Sequence, residues 1–89
     1  MTDERRGKVS VRLYTRPGCH LCDEARREMR AAGLAGLYEL EEIDIDSDPD
    51  LTRRFGWDIP VVAINDTVVF KHRLTRADFK REIQAASSP

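Results

Sequence analysis

The sequence predicts an α/β domain: a four-stranded mixed sheet in the order β-α-β-α-β-β-α, with helices on both faces. Three observations lead there. An alternating apolar segment (Val9, Val11, Leu13) runs into a helical stripe and then into a second alternating segment (Ile43, Ile45), the pattern of a right-handed parallel crossover. Two short apolar runs, Val61–Ile64 and then Val68, Val69 and Phe70, flank the pair Asn65-Asp66 and read as an antiparallel hairpin. The chain has 89 residues, 40% of them apolar and 35% charged, which is enough for one globular domain and no second.

The elements follow in order. Residues 1–8 are polar and read as a flexible N-terminus, residues 9–86 as the domain and residues 87–89 as a tail. The first strand covers 9–14, with Ser10, Arg12 and Tyr14 on its second face. Pro17-Gly18 marks a turn. A helix begins at about Cys19. Leu21, Ala25, Met29 and Ala32 recur at helical spacing, acids stand in its first turn and arginines follow, and Gly33 is a C′ stop. The second strand is expected over 38–46, with a bulge where Glu41-Glu42 breaks the alternation. Asp48 as N-cap and Pro49 at N1 open a short helix that ends near Phe55, with Gly56 at C′. After the hairpin, Thr75 and Asp78 form a capping box for the last helix. Leu74 and Phe79 form its staple, and Phe79, Ile83 and Ala86 its buried stripe.

Composition excludes several function classes. Fifteen basic against sixteen acidic residues give a net charge of −1, unsuited to sequence-independent nucleic-acid binding through many phosphate contacts. No apolar run approaches the ~18 residues of a membrane span. Residues 1–10 are charged and lack the apolar region of a secretory signal, so a cytoplasmic location is expected. Residues 39–50 hold seven acids, but a calcium loop starting at Asp44 would need Gly and Glu where Pro49 and Phe55 stand. They read as a solvated strand edge and a helix start.

The chemistry concentrates at Cys19-His20-Leu21-Cys22. Two cysteines in one tetrapeptide are not a stapling framework, because closing so short a loop removes little chain entropy. A zinc site would need a second ligand cluster, which is missing, so no metal ligands are assigned. A Cys-x-x-Cys between a strand and a helix, inside a βαβ unit, reads as a redox motif. Cys19 at the helix N-terminus would have its thiolate favoured by unpaired N–H groups and the dipole. Arg16 and His20 are candidate thiolate stabilisers, and Asp23 and Glu24 oppose them. The thiolate of Cys19 attacks a disulfide and Cys22 resolves the mixed disulfide.

The segment Tyr14-Thr15-Arg16-Pro17-Gly18-Cys19-His20-Leu21-Cys22-Asp23-Glu24-Ala25 resembles the active-site segment of small glutaredoxin-like proteins of the thioredoxin superfamily. Ile43-Asp44-Ile45-Asp46 and Phe55-Gly56-Trp57-Asp58-Ile59-Pro60-Val61 fit the same pattern, so the resemblance spans roughly residues 9–83. It implies a thioredoxin-like fold and a thiol–disulfide oxidoreductase working through both cysteines. It also implies that Ile59-Pro60 is a cis-proline pair facing the cysteines, with the Ile59 backbone presented to substrate. Trp57 is expected in the core or at the rim beside Pro60, with substrate stacking as its functional reading.

Two features depart from the pattern. Lys71-His72-Arg73-Leu74-Thr75 stands where glutathione-binding members carry a Gly-Gly pair and an Asp, and Cys-His-Leu-Cys replaces Cys-Pro-Tyr-Cys. Glutathione and a thioredoxin reductase therefore both stay open as electron source. No tightly bound cofactor is expected. The expected substrate is a disulfide in a protein or small molecule, and the expected state is a monomer. The alternatives are a non-catalytic interaction module of this fold and a metal or iron–sulfur binding module.

Overall fold

The computed structural model describes residues 8–87. The sequence expectations for residues 1–7 and 88–89 lie outside the described residues. Four strands, β1 (Val9–Thr15), β2 (Tyr38–Asp44), β3 (Val61–Ile64) and β4 (Thr67–Lys71), lie side by side in the order β2-β1-β3-β4. β1 and β2 run parallel, while β1–β3 and β3–β4 are antiparallel. Three α-helices, α1 (His20–Ala31), α2 (Pro49–Phe55) and α3 (Arg76–Ser87), complete the expected order. Single 3₁₀ turns at Ala35–Leu37 and Ile45–Ser47 flank β2.

Strand periodicity decides which side each helix covers. Val9, Val11 and Leu13 of β1 and Val62 and Ile64 of β3 point to one face, where they pack with Ala25 and Met29 of α1 and Phe79 and Ile83 of α3. Val61 points to the other face and packs with Ile45 and with Phe55 of α2, joined by Tyr14, Leu51 and Ile59. Helices therefore cover both faces, and β3, buried at all four positions, is the strand shared by both cores.

Local chemistry explains the boundaries. Asn65 and Asp66 both adopt positive φ, at 49° and 69°, the turn that matches the twist of a tight hairpin. Asp48 caps α2 by accepting the Asp50 N–H at 2.8 Å, with Pro49 in the first turn. Thr75 Oγ1 accepts the Asp78 N–H at 3.1 Å at the start of α3.

Several boundaries differ from the sequence reading. β2 stops at Asp44, and Ile45 turns inward to full burial at the start of the 3₁₀ turn. No bulge occurs at Glu41-Glu42: the pairing with β1 is continuous from Val9↔Tyr38 to Thr15↔Asp44. The alternation fails there because β2 is an edge strand whose glutamates meet arginines, Glu41 with Arg12 and Glu42 with Arg26. The register shift lies instead in β4, where Val62 faces Phe70 and Ala63 faces Val68. The buried stripe of α1 runs through Cys22, Ala25 and Met29, with Leu21 only half-buried. Gly56 caps α2 in a right-handed conformation, with φ −54°, rather than as a left-handed C′. Asp78 supplies only half of a capping box, because its carboxylate pairs with Arg81. The last helix runs to Ser87.

Candidate functional site

The loop from β1 to α1 is built by turn chemistry. The Cys19 N–H donates to the Arg16 carbonyl at 3.2 Å, closing a four-residue turn with Pro17 at its first corner and Gly18 at its second. Gly18 has φ +80°, so this is a type II turn, which fixes Pro at the first corner and favours Gly at the second. The turn delivers Cys19 in extended conformation, φ −79° and ψ 108°, as the N-cap of α1.

Cys19 and Cys22 are joined as a disulfide, with their Cα atoms 5.2 Å apart, inside the usual range of ~4.4–6.8 Å. The Cys22 N–H donates to the Cys19 sulfur at 3.2 Å, the hydrogen bond an N-cap side chain makes. Cys19 is partly exposed, and Cys22 is fully buried. The two cysteines are thus distinguished by access: Cys19 is partly open to solvent, and Cys22 is enclosed.

The remaining candidates divide. Tyr14 pairs with Val61, so Pro60 lies at the same end of the central strands as the β1–α1 loop. The Ile59–Pro60 bond is cis and Pro60 is buried. The Ile59 N–H is committed to the Phe55 carbonyl at 3.1 Å, which leaves the Ile59 carbonyl as the backbone group to offer. Trp57 is not in the core: the residue is 93% exposed, which leaves the rim half of the expectation. It sits beyond the end of α2, whose apolar contacts are already made by Phe55. With Arg16, Thr52 and Gly56 it lines a cleft of about 210 Å³. Arg16 is not a bare cation, because its guanidinium is bound to Asp46 by Nε at 3.3 Å and Nη2 at 2.9 Å. His20 is the exposed first residue of α1.

Several residues at this end escaped the sequence reading. Arg26 of α1 binds Asp23 at 2.6 Å and Glu42 at 2.8 Å, and reaches the buried Thr15 hydroxyl at 3.3 Å. It ties α1 to β1 and β2 and matches the negative charge of Asp23, one of the two acids that oppose a thiolate. The His72 N–H donates to the Pro60 carbonyl at 2.8 Å and to the Asp58 carbonyl at 3.1 Å, clasping the proline loop from the end of β4. Asp58 in turn pairs with Lys71 at 3.4 Å. The spacing i, i+3 signals Asp23–Arg26; nothing local signals the others. His72 has φ +70°, so the chain takes a glycine-like conformation at the stretch where the glycine pair is absent. Among the described residues, no three His, Cys, Asp or Glu side chains gather as a metal-ligand group, and no helix is long and apolar enough to cross a membrane.

Comparisons with known proteins give a family and a fold. Residues 10–84 match the family model described as a glutaredoxin-like domain. A glutaredoxin-like protein of Dictyostelium discoideum is 35% identical over 72 residues, which cover 74% of this chain and 67% of that protein. The X-ray structure of target protein XcR50 from X. campestris matches with a TM-score of 0.74 at 24% identity, covering 89% of this chain and 99% of its own. The solution structure of protein Ne2328 from Nitrosomonas europaea matches over 100% of both chains, with a TM-score of 0.70 and 26% identity. Chloroplastic thioredoxin z matches with a TM-score of 0.74 at 18% identity, over 94% of this chain and 82% of its own. At that identity the likeness is one of fold, and the fold is thioredoxin-like.

Proposed function

The chain belongs to the glutaredoxin-like domain family, and from that premise we propose that it is a thiol–disulfide oxidoreductase using Cys19 and Cys22 in a dithiol mechanism. One observation carries the reading: a Cys-x-x-Cys disulfide at a helix N-terminus with one cysteine partly exposed and the other buried. A stapling role has no use for that asymmetry, whereas sequential attack requires it.

The cycle follows from access and charge. A thiol reductant breaks the Cys19–Cys22 bond and is itself oxidised to a disulfide. The Cys19 thiolate, facing the first N–H groups of α1, attacks a substrate disulfide and expels one substrate sulfur as thiolate. Cys22 loses its proton to solvent or to that leaving thiolate and attacks the Cys19 sulfur. The second substrate sulfur leaves, and the internal disulfide is restored. The exposed Trp57 indole and the Ile59 carbonyl form the surface on which a peptide around the target disulfide rests.

The test is reduction of a protein disulfide and of a small-molecule disulfide, with glutathione plus its reductase or with thioredoxin reductase as the electron source. Cys19→Ser abolishes turnover, and Cys22→Ser accumulates a mixed disulfide that gel electrophoresis without reductant detects. Full activity in the Cys19→Ser variant overturns the mechanism. The glutathione-driven and reductase-driven rates decide the electron source.

A further inference from the structure

Arg16 is tied to Cys19 by the turn whose hydrogen bond runs from the Cys19 N–H to the Arg16 carbonyl, 3.2 Å. Arg16 lines the cleft it shares with Trp57 and also a second cleft with Gly18 and Asp23, the residues that flank the cysteine pair in the chain. Yet both of its side chain's bonding nitrogens are held by one carboxylate oxygen, Asp46 Oδ1. Asp46 is firmly mounted. Its own N–H donates to Asp44 Oδ1 at 2.8 Å, the Ser47 hydroxyl donates to the Asp44 carbonyl at 2.6 Å, and the preceding Ile45 is fully buried. The other charges lining the Gly18 cleft are Asp23, Arg26, Glu42 and Asp44. Arg26 binds both Asp23 and Glu42, so Arg16 and Asp46 form the separate pair on this side.

We propose that Asp46 is a positioning residue for the cysteine pair: by holding the Arg16 guanidinium, it sets how much positive charge the Cys19 thiolate receives. The inference rests on the thiol–disulfide reading above. In the disulfide state Cys19 carries no charge, and Asp46 keeps Arg16. Two reductant thiols then reduce the bond and become a disulfide. Of their two protons, one ends on the Cys22 sulfur and one goes to solvent, leaving Cys19 anionic. The new thiolate and the Asp46 carboxylate now draw on the same guanidinium. Held at Asp46 by two nitrogens, the guanidinium cannot turn toward the thiolate, so Asp46 limits the thiolate's share beyond its own direct field.

The experiment follows Cys19 alkylation by iodoacetamide against pH, in a Cys22→Ser background that leaves one thiol. Asp46→Asn moves the midpoint down by about half a pH unit, roughly a threefold rise in thiolate below the midpoint. Asp46→Glu restores the native profile. In an Arg16→Gln background, Asp46→Asn moves the midpoint less than half as far, because only the direct field of the carboxylate remains to be removed. Asp46→Asn keeps the side-chain size, and Arg16→Gln reads the same pair from its other member. No shift with Asp46→Asn, or an equal shift in both backgrounds, overturns the proposal. Absence of disulfide turnover in the native chain overturns the oxidoreductase reading instead, and alkylation still reports on the Arg16–Asp46 coupling.

Discussion

Gly18 shows how one backbone angle places Cys19 at the start of α1. Its φ of +80° belongs to the left-handed region, and a Cβ built there would meet nothing within 4 Å. Any cost of a side chain at 18 is therefore backbone strain and not a clash. Gly18→Ala should lower stability by about 1–2 kcal/mol, the cost of holding an L-residue in that region. Gly18→Asn should lose less, because asparagine tolerates the conformation. Urea denaturation of the three proteins checks the order; equal stability of the alanine variant would mean the turn relaxes to another type. His72 holds a similar angle, φ +70°, without being glycine, and its N–H bonds to two carbonyls of the proline loop stabilise that arrangement. Left-handed residues thus stand on two sides of the site, one before Cys19 and one against Pro60.

Between elements, the clearest link is Glu28 of α1 to the start of α3. One carboxylate oxygen accepts the Arg76 backbone N–H at 2.9 Å, so α1 caps the first turn of α3, and the guanidinium of Arg76 closes on both oxygens. The Arg76 side chain, then its backbone N–H, holds the Glu28 carboxyl below its usual range. A depressed carboxyl contributes stability that is fully present above its unfolded pKa and is lost as pH falls through the folded value. In Glu28→Gln, which keeps an acceptor but no charge, the loss relative to the native chain should be constant above the ordinary glutamate range and shrink below it. Denaturation midpoints against pH check this, and a difference that persists undiminished into strong acid would remove the carboxyl from the acid transition. A pair 48 residues apart has no local signature. Locally coded features were legible in the sequence: the Asp48 cap, the Asn65-Asp66 turn and the Cys-x-x-Cys pair at the start of α1. Features made by distant residues were not, among them the Asp46 hold on Arg16 and the His72 clasp on Pro60. The core half of the Trp57 expectation failed because apolar character predicts burial only where a partner face is free, and Phe55 already fills the one that α2 covers.

At the scale of the whole molecule, the sheet separates stability from chemistry. Among the described residues, ten buried ones form the core beneath α1 and α3, whereas three form the one beneath α2. The smaller core carries the segment that leads through Trp57 to Pro60, and the larger one holds the frame. Phe79 is fully buried at the centre of the larger core, edge-on to Tyr38 with ring centroids 5.2 Å apart. Phe55 keeps 6% of its surface, stacks against Tyr14 at 4.5 Å and is covered from outside by Arg54. Removing a buried phenylalanine costs about 3–5 kcal/mol, and least where the surroundings collapse into the space. A domain of this size has roughly 4–13 kcal/mol in total, at ~0.05–0.15 kcal/mol per residue. Phe79→Ala should therefore take a large share of the stability. Phe55→Ala should cost less, because Arg54 and solvent can move into the gap, but it should slow protein-disulfide reduction by loosening the segment below Trp57. Urea midpoints and turnover of the two variants test the division. If Phe55→Ala proved the more destabilising, the α2 face would be part of the frame and not a separate mount for the site.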